Sequence, residues 1–269
     1  MKKLKNLEET LQYHELLMTR ELDNFDNYFL PKGYSFVFWD NDDCIYDWIN
    51  IHLETGEFNS IDDAYAIFHQ FYDSFYDQLS SRCLFIKNSE GEKIATATVS
   101  PANEFGFSCV IDWFAVSPQA QGMKLSKPLL SKILYVAKGL GYKNILLHTQ
   151  TNTWLAAKIY LDCGFKPLIK DSTKGWEILK TITNHEKLKE FKKLRKNEIY
   201  DKLFVKIKKE LDKLHKNYKF SIYYINNRND VYVREGDNFF EYKYRISGDK
   251  LILEEQRRYN MDTFKRNKT

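Results

Sequence analysis

The 269-residue sequence has no run of about 18 apolar residues, so no segment of it is built to cross a bilayer as a helix. It also lacks an export signal: Met1-Lys2-Lys3-Leu4-Lys5 opens basic, but Glu8 and Glu9 stand where an apolar stretch of about 7 to 15 residues would be needed. Cysteine is sparse. Cys44, Cys83, Cys109 and Cys163 are too scattered for a zinc knuckle or a disulfide framework, and they read as reduced thiols of a cytoplasmic protein. The six histidines show no metal-ligand spacing, so no metal is expected. No internal repeat is visible. What the chain does have is apolar and aromatic content, 43% and 16%, with 18 Tyr and 19 Phe, which excludes a disordered chain and supports a substantial core.

The length exceeds the usual single domain of about 100 to 150 residues, so one domain with an appendage, or two domains, is expected. The net charge of +4 conceals a split: residues 1–181 carry 18 basic and 23 acidic groups, and residues 182–269 carry 23 basic and 14 acidic. The first part suits a cationic substrate. The second suits an anionic partner, or is a lysine-rich helix face in water.

Along the chain, Leu11, Leu16, Leu17 and Leu22 predict an opening helix that ends at Pro31-Lys32-Gly33. A strand over 34–39 follows, then an amphipathic stretch around Trp48, Ile49 and Ile51, then a helix capped by Ser60. Residues 83–87 and 94–99 form a hairpin around the polar loop 88–92, and 108–116 is another strand. Leu125, Leu129, Ile133, Leu134 and Ala137 mark a helix ended by Gly139 or Gly141. A strand at 145–149, a helix at 153–162 and a last strand near 176–179 complete an α/β domain. Beyond it, apolar residues from Leu188 to Leu214 predict a long basic helix, and 220–225, 231–234, 239–246 and 251–255 a small antiparallel meander. The expected divisions are 1–33, 34–181 and 182–269.

One loop stands out. Val116-Ser117-Pro118-Gln119-Ala120-Gln121-Gly122-Met123-Lys124-Leu125-Ser126 joins a strand to a helix N-terminus, where unpaired N–H groups and the positive dipole end can receive phosphate. Gly122 and Ser126 let the backbone approach closely, and Pro128 falls in the first turn, where its missing N–H matters little. A second segment, Asn152-Thr153-Trp154-Leu155-Ala156-Ala157-Lys158-Ile159-Tyr160-Leu161-Asp162-Cys163-Gly164-Phe165, follows after one helix and one strand.

Together these segments resemble the GNAT superfamily of N-acetyltransferases over roughly residues 34–180. Gln121 fits the first position of the acyl-CoA loop, Lys124 stands where the family has a glycine, and Ser126 fills the last small position. Ala156, Tyr160, Gly164 and Phe165 fit the second pattern, with Asn152 and Thr153 at its start. The resemblance implies a mixed, splayed sheet flanked by helices, with acetyl-CoA as co-substrate. It implies that Phe114, Ala115 and Val116 hold the pantetheine by their main chain, that Gln121, Gly122, Met123, Lys124, Leu125 and Ser126 receive the phosphates, and that Asn152, Thr153, Ala156 and Tyr160 line the chain. An amine would attack the thioester directly, and Tyr160 stands where the family often places the acid that protonates the leaving thiolate.

The base is not legible. Asp112 is one candidate, on a strand whose alternation puts it on the face of Phe114 and Val116. Glu57, beside Glu54 in the loop after the first helix of the domain, is the other. His148, at a strand end, reads as a core histidine or a proton relay. The competing reading is a non-catalytic acyl-CoA-binding protein whose basic C-terminal module binds nucleic acid through Tyr223, Tyr224, Tyr232, Phe239, Phe240, Tyr242 and Tyr244, or forms a homodimer. Alternation makes many of those rings core instead.

Overall fold

The first element is a strand where a helix was expected. The computed structural model describes residues 10–102, 108–169, 173–189, 209–214, 221–225, 230–235, 238–247 and 250–260. In it β1 is Glu15–Glu21. Glu, Leu, Met and Arg favour helix, but Leu16, Leu17 and Met18 are consecutive and all buried, as in a strand covered on both faces. The other strands of the main sheet are β2 (Ser35–Phe38), β3 (Cys83–Lys87), β4 (Lys93–Ala102), β5 (Ser108–Val116), β6 (Asn144–Gln150) and β7 (Lys166–Leu168).

They form one seven-stranded sheet in the order β2-β3-β4-β5-β6-β1-β7. β5 and β6 pair in parallel, and every other neighbouring pair of this sheet is antiparallel. The N-terminal strand thus sits between β6 and β7, so the sheet draws on residues before position 34. The strand expected near 176–179 is a helix. Gly175, Trp176 and Leu179 are buried at helical spacing within Lys174–Thr183.

Helix α1 (Cys44–Glu54) and α2 (Ile61–Tyr72) cover one face of the sheet, burying Trp48, Phe68 and Tyr72 against Cys83 and Phe85. The Ser60 hydroxyl caps α2 by accepting from the Asp63 N–H at 3.1 Å, as its sequence suggested. A short turn of helix, α3 (Leu79–Arg82), leads into β3. On the opposite face α4 (Ser126–Gly139) lays Leu129, Ile133, Leu134 and Ala137 over Leu84, Ala97 and Val99. α5 (Trp154–Asp162) and α6 (Lys174–Thr183) bury Ala157, Leu161, Trp176 and Leu179 in the same core as Leu16 and Met18.

The C-terminal strands β8 (Ser221–Ile225), β9 (Asp230–Glu235), β10 (Asn238–Ser247) and β11 (Lys250–Asn260) form the expected meander, in the order β11-β10-β9-β8. Phe240, Tyr242 and Tyr244 stack along one face of β10; Tyr242 and Tyr244 are buried core rings, and Phe240 is half-buried. The side chains of Tyr223, Tyr224, Tyr232 and Phe239, and most of the expected basic helix, lie outside the described residues; residues 209–214 are helical.

Candidate active site

The sheet opens at its parallel pair. β5 meets β6 only at Cys109, Val110 and Ile111, opposite Ile145, Leu146 and Leu147. Past that point β6 continues beside β1, ending with Gln150 opposite Glu15, while the rest of β5 keeps only β4. Among the described residues no strand pairs with the open side of 112–116, so alternate N–H and C=O groups there face a wedge.

Two segments of the chain meet at this wedge. Gly122 and Lys124 have φ of +82° and +61°, which turn the loop sharply before α4. Lys124 thus adopts the left-handed conformation that glycine takes at no steric cost, so its place in the pattern differs in side chain while the backbone still turns there. Leu129 makes the first N–H bond back into the helix, to the Leu125 carbonyl at 3.0 Å. Among the described residues the N–H groups of Lys124, Leu125, Ser126 and Lys127 have no acceptor. Gln121, Met123 and Lys124 are exposed, and Leu125 is core, leaving only its main chain for a ligand. The Gln121 amide donates to the Val116 carbonyl at 3.3 Å, closing its own loop, and Gln119 donates to Glu54 at 2.9 Å, tying that loop to the end of α1.

The second segment supplies the other wall. Thr153 is absorbed by local bonds with Thr149 and Gln150, which start the turn before α5, whereas the buried Asn152 Oδ1 has no partner. Tyr160 is 6% exposed and packs edge-on against Phe114 at 5.9 Å between centroids. Burial, and then the nearby Cys163, raise its phenol well above the ordinary value, so its hydroxyl stays protonated.

Asp112 lies on the opposite face from the one expected. Thr98 pairs with Asp112 and Thr96 with Ala115, so one extra residue of β5 bulges out at Trp113–Phe114, where Trp113 has φ +52°. Beyond the bulge the alternation is reversed. Asp112 shares its face with Ala115 under α1 and α2, while Phe114 and Val116 pack into the α4 side with Tyr160. Burial pushes the Asp112 carboxyl up to about 6, with the Ser100 hydroxyl and the His148 charge pulling it back. His148 is exposed and meets Glu15 at 2.8 Å, so it is neither core nor alone. Glu57 is exposed, next to Phe58, whose ring lies 5.2 Å from that of Trp113.

A buried group escaped the sequence reading: His52 is 1% exposed and packs among Trp48, Phe58 and Trp113. Burial lowers its pKa to about 3, so its ring is neutral. Its position four residues after Trp48 was the only hint. Among the described residues no group of three His, Cys, Asp or Glu side chains could hold a metal ion, and no helix is long and apolar enough to cross a membrane.

Comparison with known proteins bears on this geometry. Residues 45–165 match the acetyltransferase (GNAT) family. Comparison with curated proteins finds no match to the sequence. Among solved structures, a GCN5-related N-acetyltransferase from Sphaerobacter thermophilus is 14% identical with a TM-score of 0.47, over 62% of this chain and 53% of that one. A tandem GNAT protein from the clavulanic acid biosynthesis pathway is 17% identical with a TM-score of 0.43, over 57% and 50%. A spermidine N-acetyltransferase chimera from Vibrio cholerae and hSSAT is 16% identical with a TM-score of 0.40, over 52% and 83%. This chain thus spans about half the length of the first two. Residues 45–165, which hold the bulged strand, the amide-lined loop and all of α5 with Tyr160, are thus similar to the acetyltransferase (GNAT) family.

Proposed function

We propose that the protein is an acetyl-CoA-dependent N-acetyltransferase that moves an acetyl group onto an amine by direct attack. The observation that carries this reading is the end of β5–β6 pairing at Ile111 and Leu147, which leaves the main chain of 112–116 without a strand partner on one side, among the described residues, where the amides of Lys124 to Lys127 are also unpaired. The dimensions of the task fit the parts. A pantetheine arm needs alternating donors and acceptors, which Phe114, Ala115 and Val116 supply, and a diphosphate needs converging N–H groups and positive charge, which the loop, the α4 N-terminus and the Lys124 ammonium supply.

Acetyl-CoA brings an activated thioester, so the protein's work is positioning and proton management. A main-chain N–H at the bulge, held in place by the β4 pairing, would stabilise negative charge on the thioester oxygen. Asp112, ionised above about pH 6, would draw the acceptor nitrogen in and take its proton as the N–C bond forms. As the C–S bond breaks, the Tyr160 hydroxyl, kept protonated by burial, would hand its proton to the sulfur. Glu57 stands further out, at the rim, where it can attract a cationic acceptor.

Thiol release from acetyl-CoA, followed across a panel of amines, amino acids and peptides, tests the reading. Amine-dependent release with a matching N-acetyl product is expected. Binding of acetyl-CoA without turnover on any amine would instead support an acyl-CoA-binding protein.

A further inference from the structure

The acceptor side of the wedge is paved with rings. Trp113, at the bulge itself, contacts Phe58 and Phe71 at 5.2 and 5.3 Å between centroids, the latter edge-on. The three come from different elements: Phe58 from the loop after α1, Phe71 from the last turn of α2 and Trp113 from β5. Phe71 is 39% exposed, and Phe58 and Trp113 are half-buried. Single exposed aromatics are ordinary, but three joined through Trp113 form an apolar shelf. Beneath it, the buried Trp113 indole N–H and both nitrogens of the 1% exposed His52 have no hydrogen-bond partner among the described residues. Buried polar atoms without a partner carry a desolvation cost that a bound ligand can offset.

The carboxylate belongs to the same face. The bulge that turns Phe114 toward Tyr160 leaves Asp112 on the α1–α2 side with the rings. The positive φ of Trp113 shows that the backbone accepts strain to put this ring here, and the shelf and the acid then come from adjacent residues of one strand.

We propose that the acceptor is a primary amine carried on an aromatic or similarly flat apolar body, which seats on Phe58, Phe71 and Trp113 with its nitrogen toward Asp112. This rests on the acetyltransferase reading above. Flat rings contact such a body at low entropic cost, edge-to-face geometry suits a further ring, and the face of Trp113 attracts an ammonium on its way to the carboxylate. The rings offer no hydroxyl or carboxylate of the kind a sugar amine or a polyamine needs, and Glu54, three residues before Glu57, is held by Gln119.

The test compares kcat/KM for 2-phenylethylamine and tryptamine with those for spermidine, glucosamine and lysine, at saturating acetyl-CoA, in the full chain and in Phe71→Ala and Phe58→Ala. The aromatic amines are expected to lead by about tenfold or more. Phe71→Ala, at an exposed site, is expected to raise KM for them about fivefold with acetyl-CoA affinity intact, a smaller effect than the panel preference because one ring of three is lost. Hydrophilic amines equal to or better than the aromatic ones, or an unchanged KM in both variants, would overturn the proposal while leaving the acetyltransferase reading in place. Absence of turnover with every amine would overturn both, and an acetyl-CoA titration of the same samples would show whether the loss begins at the cofactor or at the acceptor.

Discussion

In the proposed mechanism Asp112 and Tyr160 carry the proton transfers, and their environments push both toward their neutral forms. For Asp112 the consequence reaches stability. Its folded pKa of about 6 lies above the ordinary 3.8, so folding favours the protonated form; the stability this provides is complete below about pH 4 and is lost as pH rises to about 6. Above that the charged carboxyl costs the fold about 3 kcal/mol. Asp112→Asn is therefore expected to raise the Tm by a few degrees at pH 7 to 8 and to change it little at pH 4, in thermal scans across that range. In the same variant kcat/KM is expected to fall and to lose the acid limb centred near pH 6. Tyr160→Phe is expected to lower kcat about 100-fold while acetyl-CoA binds as before, because only a proton donor is removed from an already buried ring. Equal kcat in the two proteins would remove Tyr160 from the chemistry. The place of Tyr160 on a helix was legible in the sequence because its pattern is local, whereas the face of Asp112 was not: alternation puts it beside Phe114, and nothing in Ile111-Asp112-Trp113-Phe114 announces the inserted residue that reverses it. His52 and Trp113, 61 positions apart, meet only through the fold.

At the level of elements the loop from Gln121 to Ser126 was read from its place between strand and helix, since helix starts leave N–H groups free wherever they occur. The two misread elements fail for complementary reasons. β1 is written in good helix formers yet buries three consecutive residues; α6 was taken as a strand although Gly175, Trp176 and Leu179 repeat at helical spacing. In both, tertiary burial decides where local preference does not. These elements also pack against each other. A Cβ on Gly175 would stand 2.8 Å from the His14 Cβ and 2.8 Å from a Leu16 methyl. Gly175→Ala is accordingly expected to destabilise the protein by about 1 to 3 kcal/mol in urea unfolding, despite alanine's better helix propensity. An unchanged or raised midpoint would mean that α6 does not lie this close to β1.

For the molecule as a whole, the consequence of β1 is that the sheet is completed by the start of the chain. Leu17 faces His148 across one edge of β1 and Leu168 across the other. A chain beginning at residue 24 would leave β6 and β7 without their shared neighbour and remove the buried Leu16, Leu17, Met18 and Leu22. It is expected to show no cooperative thermal transition by circular dichroism; a sharp transition would mean that the sheet stands without its N-terminal strand. The meander was legible in outline from its Gly- and Asn-rich turns. The expected division at residue 181 falls inside α6, and Ile182 and Leu188 pack into the main core, so we propose that any separate C-terminal unit starts after position 188. The central claim concerns the wedge, and calorimetric titration of the full chain with acetyl-CoA tests it most directly. One site per chain with a dissociation constant on the order of micromolar, weakened by salt as a phosphate contact should be, is the expected result. No saturable heat up to millimolar acetyl-CoA would contradict the account.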